Sequence, residues 1–334
     1  MAASDQPVLV TGASGFVGSA VARALLAQGR KVRVLLRPSS ERGNVAGLDV
    51  DVRLGGLDDP QALAAASSGC GAVYHVAADY RLWVRDPAPM YKTNVEGTRL
   101  VMEAALQARV ARVVYTSSVA TLGWNADGKP ADESTPSGEA DMIGHYKRSK
   151  FMAEEVVKKL VRDRKLPAVI VNPSTPVGPR DIKPTPTGRI VIEAASGRMP
   201  AYVDTGLNLA HVDDVASGHL LAESKGRVGE RYILGGDDLM LADILRIIAG
   251  IVSRRPPKLR IPLGALWPVA FLAEGWACLS GREPFTTRDG LRMARHRMFF
   301  SSAKAKSELG YRPRSASEGL ADAIAWFRQA GMCP

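Results

Sequence analysis

Cysteine is scarce: Cys70, Cys278 and Cys333 are odd in number and far apart. That spacing excludes a disulfide framework and a clustered metal site, and a reducing cytoplasm is the expected setting. The chain has no opening basic segment that leads into an apolar run, so no secretory signal is expected. It also lacks an unbroken apolar run of the roughly 20 residues that a typical membrane span needs. The most apolar stretch, 263–279, is interrupted by Pro268 and Glu274. Internal repeats and low-complexity tracts are absent. No nucleic-acid reading motif or basic–aromatic stripe occurs, so nucleic acid is not an expected partner.

What is present fits a globular enzyme. Hydrophobic residues make up 46% and charged residues 23%, ordinary values that leave no sign of disorder. A length of 334 residues suffices for a nucleotide-binding domain and a smaller lobe. The formal net charge of +10 suits an anionic substrate with a phosphorylated cofactor, an acidic membrane surface, or simply a well-solvated basic face.

Strand-type runs at 8–11, 32–36, 50–54, 72–77, 110–117 and 168–172 alternate with helical patterns at 16–27, 60–66, 88–107 and 143–161. Such alternation predicts an α/β fold, a Rossmann-type doubly wound parallel sheet covered on both faces. From Pro173 onward proline and glycine become frequent and the elements less regular. The expected organisation is a cofactor domain over 1–172, to which 205–225 returns, and a mainly substrate-binding lobe over 173–334.

Between the first strand and helix lies Thr11-Gly12-Ala13-Ser14-Gly15-Phe16-Val17-Gly18. Glycines here allow a tight turn and close backbone approach, and the helix start offers N–H groups to a pyrophosphate. Gly12, Ser14, Gly15, Phe16, Val17 and Gly18 are therefore candidate cofactor contacts. The spacing is G-x-x-G-x-x-G, and its place between strand and helix gives it weight. The second strand ends in Arg37, with Arg42 nearby and no acidic residue before Glu41. A carboxylate at this position suits the ribose hydroxyls of NAD, whereas a guanidinium suits a 2′-phosphate, so NADP(H) is expected over NAD.

Tyr146 and Lys150 are four residues apart and share one helical face. A phenol titrates near 10, so a tyrosine that exchanges protons at neutral pH needs a positive neighbour, and Lys150 can supply one. The preceding strand ends in Thr116-Ser117-Ser118 at the sheet edge where ligands bind. Ser118 can hold a carbonyl or hydroxyl oxygen, with Ser117 its rival. Asn94 either holds a proton-relay water near Lys150 or is a buried polar residue tied to backbone.

Over nearly its whole length the chain resembles the extended short-chain dehydrogenases/reductases. The likeness rests on TGASGFVG at 11–18, the Asn94 helix, TSS at 116–118, YKRSK at 146–150, HVDDVA at 211–216 and the segment around Leu309–Pro313 with Trp326 and Phe327. It implies a Ser118–Tyr146–Lys150 triad supported by Asn94, with Leu57, Ala77 and Pro173 beside the cofactor. Many relatives carry Gly-Asp-Leu after the third strand. Here Gly55-Gly56-Leu57 stands instead, which removes a polar adenine contact and leaves Leu57 to pack on the ring. Arg37 and the single tyrosine acid resemble dihydroflavonol reductase-like enzymes. The strings at 77–83, 172–189, 202–208 and 293–295 are similar to the bacterial hopanoid-associated sugar epimerases.

After the fourth strand, Asp79, Arg81 and Trp83 are expected at the nicotinamide end, joined by Arg180, Arg189 and Asn208 from the second lobe. His211 and Asp213 are read as joining the lobes. The 263–279 stretch is either a lid or membrane-facing patch for a lipid-linked substrate, or a helix buried against the second lobe or a dimer partner. The reaction expected is hydride transfer at a carbonyl or hydroxyl of a sugar-like or polyol substrate, with hopanoid side-chain biosynthesis as one setting. The alternatives are a nucleotide-sugar epimerase/dehydratase that retains NAD and a non-catalytic NADP-binding redox sensor.

Overall fold

A computed structural model describes residues 6–334 apart from residue 126. The chain begins β1 (Val8–Thr11), α1 (Phe16–Ala27), β2 (Val32–Leu36), β3 (Val50–Leu54), α2 (Pro60–Ser67) and β4 (Ala72–His75). It continues through α3 (Ala88–Tyr91), a π-helical turn (Lys92–Glu96), α4 (Gly97–Gln107), β5 (Arg112–Thr116), α5 (Gly144–Arg164) and β6 (Ala168–Pro173). Then come β7 (Thr175–Val177), α6 (Pro186–Ala195), β8 (Ala201–Tyr202), β9 (Gly206–His211), α7 (Val212–Lys225) and β10 (Arg231–Leu234). The last elements are β11 (Asp237–Met240), α8 (Leu241–Ile251), β12 (Leu259–Arg260), α9 (Trp267–Ser280), α10 (Arg288–Ala294), β13 (Arg297–Met298) and α11 (Ala316–Gln329).

The main sheet has seven parallel strands in the order β10-β6-β5-β4-β1-β2-β3. Its central strands are buried on both faces, and for that reason they read as continuous apolar runs instead of alternating ones. Helices α1 and α7 cover one face, and α2, α4 and α5 the other. The chain runs outward from β1 to β2 and β3, then crosses back to place β4 on the other side of β1. The crevice at the C-terminal ends of β1 and β4 is the switch point where such sheets bind ligands.

The second lobe packs α6, α8 and α11 around a small sheet in which β9 pairs with β7, β11 and β13. The chain weaves between lobes: β9 belongs to the small sheet, α7 packs on α1, and β10 closes the edge of the large sheet.

The periodicity over 88–107 predicts one helix, and the structure interrupts it with a π turn over 92–96. Asn94 lies in that turn, with its side chain bonded outside the helix. Single π turns inside α-helices recur at functional positions.

Candidate active site

The glycine turn closes against the end of β4. Gly12 has φ +76, and a Cβ there would stand 2.6 Å from the Ala77 amide nitrogen. A Cβ on Gly18 would stand 2.1 Å from the Gly12 carbonyl oxygen. Both positions therefore require glycine for the turn to close on α1 and the sheet. Helix α1 starts at Phe16 after Gly15, with no side-chain cap and no acid in its first turn. Its leading N–H groups thus face the crevice without an internal competitor, which suits a pyrophosphate. Val17 and Ser14 lie half-buried on the same turn. Asn44 donates to the carbonyls of both Ser14 (3.3 Å) and Arg180 (3.2 Å), a bracing contact with no signal in the sequence.

Arg37 and Arg42 are exposed beyond β2, and neither guanidinium forms a hydrogen bond or ion pair among the described residues. Their charge is thus free to meet an anion. Arg37 does act on Asp79: burial pushes that carboxyl up, but bonds from Arg81 and the Arg37 charge bring it below its ordinary value. Leu57 packs against Gly97 of α4 beside this crevice. The carboxylate next to it, Asp58, is neutralised by Lys92 at 2.9 Å. These features fit an adenine nucleotide carrying an extra phosphate.

At the next crevice position, β5 ends in two serines with different tasks. Ser117 is buried and donates to Glu154, while the Ser118 hydroxyl accepts from the Ala120 amide at 3.1 Å and meets the Tyr146 phenol. Ser118 is therefore the serine that faces the site. Burial raises the Tyr146 pKa, and the Ser118 hydrogen bond opposes the rise. Lys150 is 2% exposed and donates to the Tyr115 hydroxyl (3.1 Å) and the Thr116 carbonyl (2.8 Å). Burial lowers its pKa to about 8, with the Glu154 charge opposing. Lys150 thus lies one turn along α5 from Tyr146 and is seated on β5.

Glu154 is the residue that sequence reasoning missed. It is 1% exposed and accepts from Ser117, Thr121 and Asn172, with Lys158 and Arg231 as ion-pair partners. Its signal was available: four residues after Lys150, it continues the Tyr146–Lys150 stripe along one helical face. Asn172, just before Pro173, also donates to the Ser118 carbonyl at 3.0 Å and so fixes the end of β5 against β6.

Asn94 takes the backbone role. Its amide donates to the Asp79 carbonyl (2.8 Å) and Ser149 Oγ (2.9 Å), and its oxygen accepts from the Asp79 amide (2.7 Å). It clamps the 79–83 loop to α5, and no contact with Lys150 is formed. Within that loop Arg81 is paired with Asp79, and Trp83 is half-buried. Burial raises the Tyr80 pKa, the Asp181 charge adds to the rise and the Arg189 charge opposes it, and Tyr80 in turn acts on Tyr146.

The second-lobe candidates separate. Arg189 of α6 pairs with Glu283 at 3.0 Å on the exposed rim. Arg180 is held by Asp213 next to the glycine turn, away from the expected substrate position. Asn208 is fully buried: it donates to Asp238, Gly236 and Phe300 and accepts from the Gly236 amide. It therefore braces β9 and offers no group to a substrate. Placing it at the cleft overlooked that a strand residue on a two-sided sheet faces the core. His211 bonds Asp322 of α11 at 3.1 Å and accepts from Arg314, contacts made within the second lobe, whereas Arg314 also donates to Asp214 of α7, the helix that packs on α1.

Known proteins share this fold. The model of the NAD dependent epimerase/dehydratase family matches residues 8–235. A Synechocystis protein with the provisional name dihydroflavonol 4-reductase is 44% identical over 96% of this chain and 94% of its own. Sterol demethylase protein B of Methylococcus capsulatus is 35% identical, covering 97% of this chain and 99% of its own. The crystal structure of gox2253 superposes with a TM-score of 0.89 at 55% identity, covering 99% of this chain and all of that one. That of PA4631, a nucleoside-diphosphate-sugar epimerase from Pseudomonas aeruginosa, gives 0.80 at 29% identity over 98% and 99% of the two chains.

Proposed function

The chain belongs to the NAD dependent epimerase/dehydratase family, and from that premise we propose that it is an NADP(H)-dependent oxidoreductase acting on a carbonyl or the corresponding hydroxyl. The observation that carries the reading is the meeting of Ser118 and Tyr146 above a buried Lys150, at the crevice the glycine turn opens onto. Bound nicotinamide supplies or accepts the hydride. Ser118 holds the reacting oxygen, and Tyr146 passes it a proton in reduction or takes one in oxidation. The buried Lys150 cation favours the phenolate that the proton transfer leaves behind. Asn94, Glu154 and Asn172 keep the loop and strand ends in register around these groups.

Two observations support NADP(H): among the described residues Arg37, directly after β2, and Arg42 are unpaired, and no carboxylate directly follows β2 to meet ribose hydroxyls. Net reduction is supported by relatives named as reductases, including the Synechocystis protein and a Stigmatella aurantiaca ketoreductase 32% identical over 96% of this chain. The substrate class we infer is a sugar-like or polyol carbonyl borne on an apolar carrier. Its support is that the named relatives include a sterol demethylase component and a farnesyl-dihydroquinoline ketoreductase. A hopanoid side chain is one carrier of that kind.

The test is a paired titration with NADPH and NADH, followed by carbonyl-dependent NADPH consumption on the same sample. Tighter NADPH binding with net consumption is the expected result. Retained NAD with no net turnover would favour epimerisation, the activity for which PA4631 is named. NADPH binding with no turnover on any carbonyl would favour a sensor.

A further inference from the structure

Helix α9 turns its small residues inward and its large apolar residues outward. Ala270 and Ala277 are buried, whereas Phe271, Leu272, Trp276 and Leu279 are 64, 71, 68 and 84% exposed. Phe285, in the connection to α10, is 83% exposed. A helix on the surface of a water-facing domain shows the opposite arrangement. Only 17% of the stretch Leu263–Ser280 is buried, so the expectation that this segment packs against the second lobe does not hold.

The charge around it is equally one-sided. Between residues 254 and 297 the chain has nine Lys or Arg and three Asp or Glu, so this stretch carries +6 of the formal +10. Arg288 lies over the Phe271 ring and Arg295 over the Trp267 ring, and aromatic side chains beside arginine are what an interfacial helix presents to an anionic bilayer. A symmetric contact between two copies would bring the same positive excess face to face, which works against self-association there.

The patch adjoins the catalytic cleft. Asp289 of α10 lies against Gly144, two residues before Tyr146. His296 stacks on Trp124 at 4.4 Å between ring centroids, and Lys147 sits 4.2 Å from the same indole. Glu274 of α9 accepts from both the backbone and side chain of Arg288, tying the helix to α10. By length and composition alone Leu263–Ser280 is sufficient to cross a bilayer, so its connections decide how it meets one. Both of its ends return to the protein body, through β12 paired with β8 and through α10. The segment is therefore placed to lie on a membrane, with no second side to reach.

We propose that α9 and Phe285 form a docking surface for an anionic lipid bilayer, seating the mouth of the cleft at the membrane. Docking itself is independent of the redox reading. Its consequence, that a substrate with an apolar anchor reaches Tyr146 without leaving the bilayer, rests on that reading.

The experiment is co-sedimentation of the full chain with vesicles of phosphatidylcholine alone or mixed with phosphatidylglycerol, at low and high salt. Expected is binding to the phosphatidylglycerol vesicles, weakened by salt and lost at least about tenfold in the double variant Leu272→Glu/Trp276→Glu. Both positions are exposed and outside the catalytic machinery, so circular dichroism and NADPH affinity should match the parent. Equal binding by parent and variant, or no binding to either vesicle, overturns the proposal. So does a dimer in light scattering that the variant dissociates, since the face would then be covered by a second copy. Turnover of a small water-soluble carbonyl, measured on both proteins, separates failure of docking from failure of the redox reading.

Discussion

The Lys150 ammonium donates to the Tyr115 hydroxyl at 3.1 Å, a contact between the catalytic helix and the strand beneath it. Tyr115 is fully buried and its phenol is held neutral by burial, so it acts on Lys150 as a neutral dipole. The lysine is thereby fixed one helical turn from Tyr146 without an anion of its own at hydrogen-bond distance, which in the proposed mechanism leaves its charge for the phenolate.

Lys150 has a pKa lowered to about 8, so its charge is present below that pH and lost above it. The rate of carbonyl reduction should therefore decline above about pH 8. Tyr115→Phe removes the acceptor oxygen, disfavours the cation further and should move the alkaline limb to lower pH. A pH–rate profile of parent and variant checks this; an unshifted limb contradicts it.

Replacing Tyr146 with Phe removes the proton donor and little else. Turnover should fall on the order of a thousandfold, while NADPH affinity measured by fluorescence titration stays close to that of the parent. Full turnover in this variant would refute the assignment of Tyr146.

Arg37→Ala should weaken NADPH binding by roughly tenfold to a hundredfold, the worth of a lost charge-assisted contact to phosphate. NADH affinity should change little, so the ratio of the two constants reports the residue directly. An equal loss for both cofactors would assign Arg37 to the adenine or to folding.

Asn208→Ala should cost on the order of 3 kcal/mol of stability, because several buried partners lose their hydrogen bonds together. Thermal unfolding reads the loss. The KM for substrate should be unaltered at a temperature where the variant remains folded. A raised KM without a lower Tm would return Asn208 to the substrate site.

Two buried histidines make the fold acid-sensitive. Burial, aided by the Lys150 charge, lowers His75 to about 3, and burial lowers His219 to about 4, from an ordinary 6.5. The unfolded chain takes up these protons first, so the stability they contribute is complete above 6.5 and declines as pH falls toward their folded values. The loss down to pH about 5 is about 2 kcal/mol per histidine. Asp181, raised to about 6 by burial, acts in the reverse direction and offsets part of it. The Tm should therefore drop between about pH 7 and about pH 5; a constant or rising Tm would contradict the burial of these rings.

The sequence by itself determined the strand–helix alternation, the glycine turn, the Tyr146–Lys150 face and the cationic end of β2. Each of these is local: a period of two or 3.6, a turn that tolerates only glycine, or a spacing of four along one helix. The order of strands, the seating of Lys150 on Tyr115 and the cluster at Glu154 join residues far apart in the chain, and only tertiary packing brings them together. The same holds for Asn94 and Asn208. A polar residue in a sequence looks equally suited to a ligand or to a neighbouring carbonyl, and burial decides which. The apolar run at 263–279 shows the reverse case. Its composition was plain, but whether it faces the core or water depends on which side the rest of the fold leaves uncovered, and here the alanines were taken inward and the large side chains left outside.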